Sequence, residues 1–157
     1  MLKKVIRSIV RRVQNPERKE IDALKQRVQV LETRLLSRSW MRYLSEFMSS
    51  FDYVHSQLAP DWVRELPAHV IASGLAVTDR DYIAYLADDR EVIDPAAGQP
   101  ISGTVKLSLP AGKFDVTLYS PVTGQYSPAI LVEGGAASLV LPAFTHDIVV
   151  RARRSER

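Results

Sequence analysis

The residue pattern predicts an α+β chain, with N-terminal helices that include a short coiled coil followed by a C-terminal antiparallel β-sandwich of about seven strands. Three observations lead there. Apolar residues recur at steps of three and four up to Phe51, the period of a helix face. From His69 onward, short runs of alternating polarity are separated by turn residues, the pattern of half-buried strands. Residues 1–40 hold eleven Lys or Arg against four Asp or Glu, whereas the rest of the chain holds ten against fourteen, so a basic arm precedes a mildly acidic body.

The first element, 1–14, reads as a basic amphipathic helix. Leu2, Val5, Ile6, Ile9, Val10 and Val13 share one face, and Lys3, Lys4, Arg7, Arg11 and Arg12 the other. Those five cations are the candidate contacts to an anionic membrane surface. A secretory signal is not expected, because Arg7, Arg11 and Arg12 break the apolar stretch that follows Lys3 and Lys4. No run reaches transmembrane length. A cytoplasmic or peripheral membrane location follows as the expectation.

The second element, 15–38, starts at Asn15-Pro16-Glu17, which places a capping residue, a first-position proline and an early acid in order. Ile21, Leu24, Val28, Leu31 and Leu35 then follow a/d spacing. In a parallel pair Glu20 would face Lys25 and Arg27 would face Glu32, both opposite in sign. These nine residues form the candidate self-association surface, as a parallel dimer or trimer. The alternative is a single amphipathic helix packed on its own body.

Beyond Ser37-Arg38-Ser39 the phase changes, and 39–67 reads as a docking helix and connector. Its stripe of Trp40, Tyr43, Leu44, Phe47, Met48 and Phe51 is large enough to pack on a domain. Prolines at 60 and 67 bracket Trp62 and Val63, read as a plug.

The region 68–153 is the predicted sandwich, with 154–157 a basic tail. Candidate strands are 69–77, 82–87, 104–109, 113–120, 129–132, 137–141 and 147–152, with turn signals at Asp79-Arg80-Asp81, Ala111-Gly112, Thr123-Gly124 and Gly134-Gly135. Val105, Leu107 and Leu109 share one face, as do Phe114, Val116 and Leu118.

At 157 residues the chain cannot hold a large multi-domain enzyme, and 46% hydrophobic with 25% charged residues fits a folded domain. It has no cysteine, which removes disulfides and thiol chemistry. His55, His69 and His146 lack metal-ligand spacing, so no metal site is expected. Asp79, Asp81, Asp88, Asp89, Glu91 and Asp94 crowd one hairpin, where turn chemistry and edge protection explain them. No nucleophile elbow or phosphate loop occurs. No catalytic residue and no cofactor is assigned. Tyr119 and Tyr126 are the candidate ligand-binding residues, because tyrosine can lie flat against a sugar ring. Nucleic-acid binding is not expected, since the arm has no aromatic residue before Trp40.

The segments Phe51-Asp52-Tyr53, Tyr82-Ile83-Ala84-Tyr85-Leu86, Gly112-Lys113-Phe114, Pro121-Val122-Thr123-Gly124 and Asp147-Ile148-Val149-Val150 resemble the C-terminal accessory sandwich of glycoside hydrolase-like proteins, a module labelled collagen-binding. The resemblance covers about 41–153. It implies an accessory module without its catalytic barrel, where that family carries its catalytic carboxylates. The expected function is then a non-catalytic, oligomeric binding protein presenting its sandwich to carbohydrate or an extracellular-matrix-like protein. The alternative is a peripheral membrane scaffold, or an accessory subunit of a glycoside hydrolase-like enzyme.

Overall fold

The computed structural model describes residues 15–90 and 94–156. The predicted helix 1–14, with Lys3, Lys4, Arg7, Arg11 and Arg12, lies outside the described residues. The chain divides into two units, one ending at Met41 and the other spanning Arg42–Arg157.

One helix, α1, runs Asn15–Ser49. The expected break at Ser37-Arg38-Ser39 is absent. Ser37 Oγ donates to Thr33 O at 2.9 Å and Ser39 Oγ to Leu35 O at 3.1 Å, so both hydroxyls are satisfied on the helix itself and the backbone ladder continues. The expectation of several helices including a coiled coil is therefore corrected: the described residues contain this single α-helix. Ile21, Leu24, Val28, Leu31 and Leu35 are exposed along it, as are Glu20, Lys25, Arg27 and Glu32. Among the described residues, no helix is long and apolar enough to cross a membrane.

Among the described residues eight strands follow: β1 Gln57–Leu58, β2 Val63–Arg64, β3 Val70–Val77, β4 Asp81–Asp88, β5 Ile101–Ser120, β6 Gln125–Tyr126, β7 Ile130–Phe144 and β8 Asp147–Arg154. All pairings are antiparallel. They form one hydrogen-bonded sheet of order β1-β3-β4-β8-β5-β2, with β6 and β7 also pairing β5. The predicted sandwich of seven strands is corrected to this single sheet, and the reason lies at two turn signals. Ala111-Gly112 and Gly134-Gly135 do not reverse the chain. They face each other within one strand pair, where the register passes from Leu109↔Gly135 to Lys113↔Glu133 through an irregularity. A side chain at Gly134 would meet the Pro110 carbonyl oxygen, so glycine permits the close approach that lets both strands bend and continue. Predicted strands 104–109 and 113–120 are thus one strand, and so are 129–132 and 137–141.

The bend gathers one core from both halves of β5. Val105, Leu107, Leu109, Phe114 and Val116 join Leu86, Leu141 and Val150 in it. Pro60 opens a 3-10 turn that ends at Trp62. The Trp62 indole is buried in this core and its N–H donates to Ile83 O at 3.1 Å, so burying it leaves no unpaired donor. A second, smaller cluster of Phe47, Phe51, Val77, Ile83, Tyr119 and Val149 forms on the opposite sheet face, under the last turns of α1.

A candidate ligand face on the central sheet

Strand register aligns one row of side chains across this second face. Tyr126 is opposite Tyr119, Tyr119 opposite Val149, Val149 opposite Tyr85, and Tyr85 opposite Ser73. Directly opposed residues project to the same side of a sheet. The row therefore crosses β6, β5, β8, β4 and β3, and three strand spacings put Tyr126 roughly 14 Å from Tyr85.

The middle of the row is covered. Phe47 stacks on Tyr119 with ring centroids 4.8 Å apart, and the Tyr119 hydroxyl donates to Tyr43 O at 3.0 Å. Tyr119 is only 4% exposed, and burial raises its pKa. Its ring is occupied by the helix rather than presented to solvent. Tyr126 packs against Tyr119 with centroids 4.7 Å apart and stays 45% exposed. The two tyrosines singled out from sequence thus sit side by side, one buried and one open. Of the aromatic stripe that was expected to dock, Phe47 and Phe51 are buried, whereas Trp40, Leu44 and Met48 are exposed.

Arg151 ties the helix end to this face. Its guanidinium donates from Nε to Asp81 Oδ1 at 3.0 Å and from Nη2 to Asp81 Oδ2 at 2.6 Å. The same group donates to Ser50 Oγ and Ser50 O, each at 2.7 Å, which satisfies a carbonyl left over where the helix stops. Burial disfavours the Arg151 charge, but the Asp81 hydrogen bonds and charge outweigh it and raise the pKa.

At the uncovered end of the row stands Tyr85, 44% exposed and missed by the sequence reading. Its hydroxyl donates to Asp147 Oδ2 at 2.8 Å. Asp147 Oδ1 is buried and has no hydrogen-bond partner. Burial, the Asp147 hydrogen bond and the Asp147 charge push the Tyr85 phenol up to about 12, so at neutral pH it is a neutral donor. Ser73 and Ile71, both exposed, extend this face on β3. Alternation of apolar and polar residues would have placed Tyr85 on a solvent face, but Tyr82–Ala87 is apolar or aromatic at every position, which hides that signal.

Further ion pairs lie outside this row. Arg90 donates to Asp88 through Nε and Nη2, both at 2.7 Å, and to Gln99 O at 2.7 Å. The Arg90 hydrogen bonds hold the Asp88 carboxyl well below the usual range. His69 Nδ1 lies 3.3 Å from Asp89 Oδ1, and His55 Nδ1 lies 2.8 Å from Asp52 Oδ2, whose pKa that contact lowers. The two carboxyls with resolved shifts are thus held ionised, the opposite of what a general acid for glycoside cleavage requires. Among the described residues, no cluster of three or more His, Cys, Asp or Glu is placed to hold a metal ion.

The fold has relatives among solved structures. A protein described as a glycoside hydrolase superposes with a TM-score of 0.54 at 13% identity, over 74% of this chain and 25% of that one. A glycoside hydrolase family 5 protein from Bacteroides vulgatus superposes with a TM-score of 0.55 at 13% identity, over 75% of this chain and 24% of that one. The likeness is one of fold, and the chain spans about a quarter of the length of these proteins. No protein-family model matches the chain. No curated protein matches it.

Proposed function

We propose that this chain is a non-catalytic accessory module of glycoside hydrolase type, which binds carbohydrate on the sheet face around Tyr85. The carrying observation is Tyr85 itself: an exposed ring on a sheet face, with its hydroxyl anchored on Asp147 at 2.8 Å. A ring fixed in this way can lie against the apolar face of a sugar without first losing rotamer freedom, which lowers the cost of binding. Ser73, exposed on the same face, offers a hydroxyl partner to sugar hydroxyls. The non-catalytic part is supported by the commitment of Asp81, Asp88, Asp89 and Asp147 to Arg151, Arg90, His69 and Tyr85, which leaves these carboxylates poorly placed to share a substrate. The same chemistry favours a sugar over an extended protein strand, whose recognition needs an edge rather than a face.

The test is retention of the full chain on a panel of insoluble polysaccharides. The original chain is retained, and Tyr85→Ala loses about tenfold in affinity, in line with one lost stacking contact. Equal retention of both proteins on every polysaccharide would remove Tyr85 from the reading, and release of reducing sugar by the chain alone would overturn its non-catalytic part.

Self-association belongs to the same proposal, on a separate observation. Ile21, Leu24, Val28, Leu31 and Leu35 form an apolar row on α1, each at least half exposed, with Lys25 and Glu32 beside it. A row of this kind is costly to leave in water. Contact between copies through it would multiply weak sugar sites into useful avidity. Sedimentation of the full chain at micromolar concentration tests it, and a monomeric mass there counts against it.

A further inference from the structure

We infer that the free edge of β7 is a second contact between copies, at which β7 of one chain pairs antiparallel with β7 of another. This rests on the sheet and is independent of the sugar reading. Among the described residues, β7 pairs with β5 and with no other strand, so its second edge presents unpaired backbone donors and acceptors. Such an edge accepts another strand unless charge, proline, bulges or a covering segment prevent it.

The other margins of the sheet have these protections. β1 covers Leu75 and Ala76 of β3, and Ala59 N donates to Gly74 O at 2.9 Å. β2 is two residues long, carries Arg64, and lies next to the Glu65–Lys106 ion pair at 3.1 Å. β7 differs on each count. It is 15 residues long, and Glu133 is its single ionisable residue. Its protections lie at the ends of one segment: the bend at Gly134 and Gly135, and Pro142, which has no N–H to donate. Between them Gly135–Leu141 is in unbroken register with Leu109–Gly103. Val140, one residue from the end of that segment, is 73% exposed.

The occupant is a second copy because the segment is its own complement. An antiparallel pairing about a two-fold axis at Ser138 sets Ala136 against Val140, Ala137 against Leu139 and Gly135 against Leu141, with no charge facing a charge. Glu133 falls outside the paired run. It covers the exposed Val140 with the neighbouring chain, and the two-fold relation closes the edge instead of propagating it into a fibre. Directly opposed residues in an antiparallel pair have Cα atoms about 4.5–5.5 Å apart, within the span a disulfide bridges.

The chain has no cysteine, so a single introduced thiol reports on one contact. In full-length Ser138→Cys, mild oxidation is expected to give a covalent dimer about tenfold faster than in Ser73→Cys, an exposed serine on β3 outside the proposed contact. Adding Val140→Lys, which puts a charge on the edge, is expected to abolish that difference. The dimer is expected to persist when Leu24→Lys and Leu31→Lys disable the helix row, which separates this contact from helix-mediated association. Equal rates at residues 138 and 73, insensitivity to Val140→Lys, or loss of the dimer with the helix substitutions would each overturn the inference. Near-ultraviolet circular dichroism of each variant, compared with the original chain, checks that the fold is kept, and Ala136→Cys mixed with Val140→Cys offers a second pair if Ser138→Cys fails that check.

Discussion

Phe47 lies on Tyr119 with ring centroids 4.8 Å apart and planes inclined by 28°, while the Tyr119 hydroxyl donates to the backbone carbonyl of Tyr43, one helical turn before Phe47. The last turns of α1 are thus held to the sheet by one apolar and one polar contact from the same tyrosine. Phe47→Ala removes a buried ring and is expected to destabilise the sheet unit by about 3 kcal/mol. Tyr119→Phe keeps the ring and loses only the hydrogen bond, for about 1 kcal/mol. Urea unfolding measures both, and a larger loss in Tyr119→Phe than in Phe47→Ala would contradict this division.

Asp81 and Arg151 form a buried fork that also holds Ser50. Removing Arg151 leaves the Asp81 carboxylate with only the longer contact to Arg153 Nη2 at 3.5 Å. Arg151→Met is expected to cost about 3 kcal/mol or more, whereas the paired change Asp81→Leu with Arg151→Met costs less than the single one. Thermal unfolding of the two single variants and the double variant, read as a cycle, checks this.

Gly134 permits the close passage of β7 past Pro110. Gly134→Ala must push the two strands apart, at a cost of about 2 kcal/mol. Ser138→Ala on the straight part of the same strand is expected to change stability by less than about 0.5 kcal/mol. Denaturant midpoints compare them directly.

Tyr85 carries the pH dependence of its face. The folded phenol is pushed up to about 12, against about 10 in an unfolded chain. The folded state therefore holds its proton more tightly, and this contribution is present below about pH 10 and lost as pH rises through about 12. Difference absorbance of tyrosinate should show a transition near pH 12 that disappears in Tyr85→Phe. In Asp147→Asn, which removes the charge, the transition should move toward lower pH. A transition that persists in Tyr85→Phe would show that it belongs to another tyrosine, and no movement in Asp147→Asn would remove Asp147 as a cause of the shift.

Several parts of this protein were legible in the sequence by local period alone. The alternation of Val105, Leu107 and Leu109, and of Phe114 and Val116, identified side chains that all lie in the main core. Of the aromatic stripe on the helix, Phe47 and Phe51 lie in the second apolar cluster, while Trp40, Leu44 and Met48 are exposed. Trp62 between its two prolines was legible as a plug. These features depend on neighbours a few residues away, which is the range over which a sequence pattern carries information.

Tertiary structure alone decided the rest. Gly134-Gly135 and Ala111-Gly112 carry the same composition whether a chain turns or bends, and only the strand opposite each one determines which occurs. Ser37 and Ser39 suit a helix end or a helix interior alike, and in α1 their hydroxyls bond to the Thr33 and Leu35 carbonyls within a continuous helix. Tyr119 was recognisable as lying off the face of Phe114 and Val116, but whether that side met water or Phe47 depended on α1, far away in sequence. Tyr85, Asp147 and the Asp81–Arg151 fork came together through strand register, which pairs residues more than sixty positions apart. The sequence by itself therefore determined the alternating core positions on β5 and the helical period before Phe51, because both depend on near neighbours; the fold decided where strands bend rather than turn and which faces were left open to a partner.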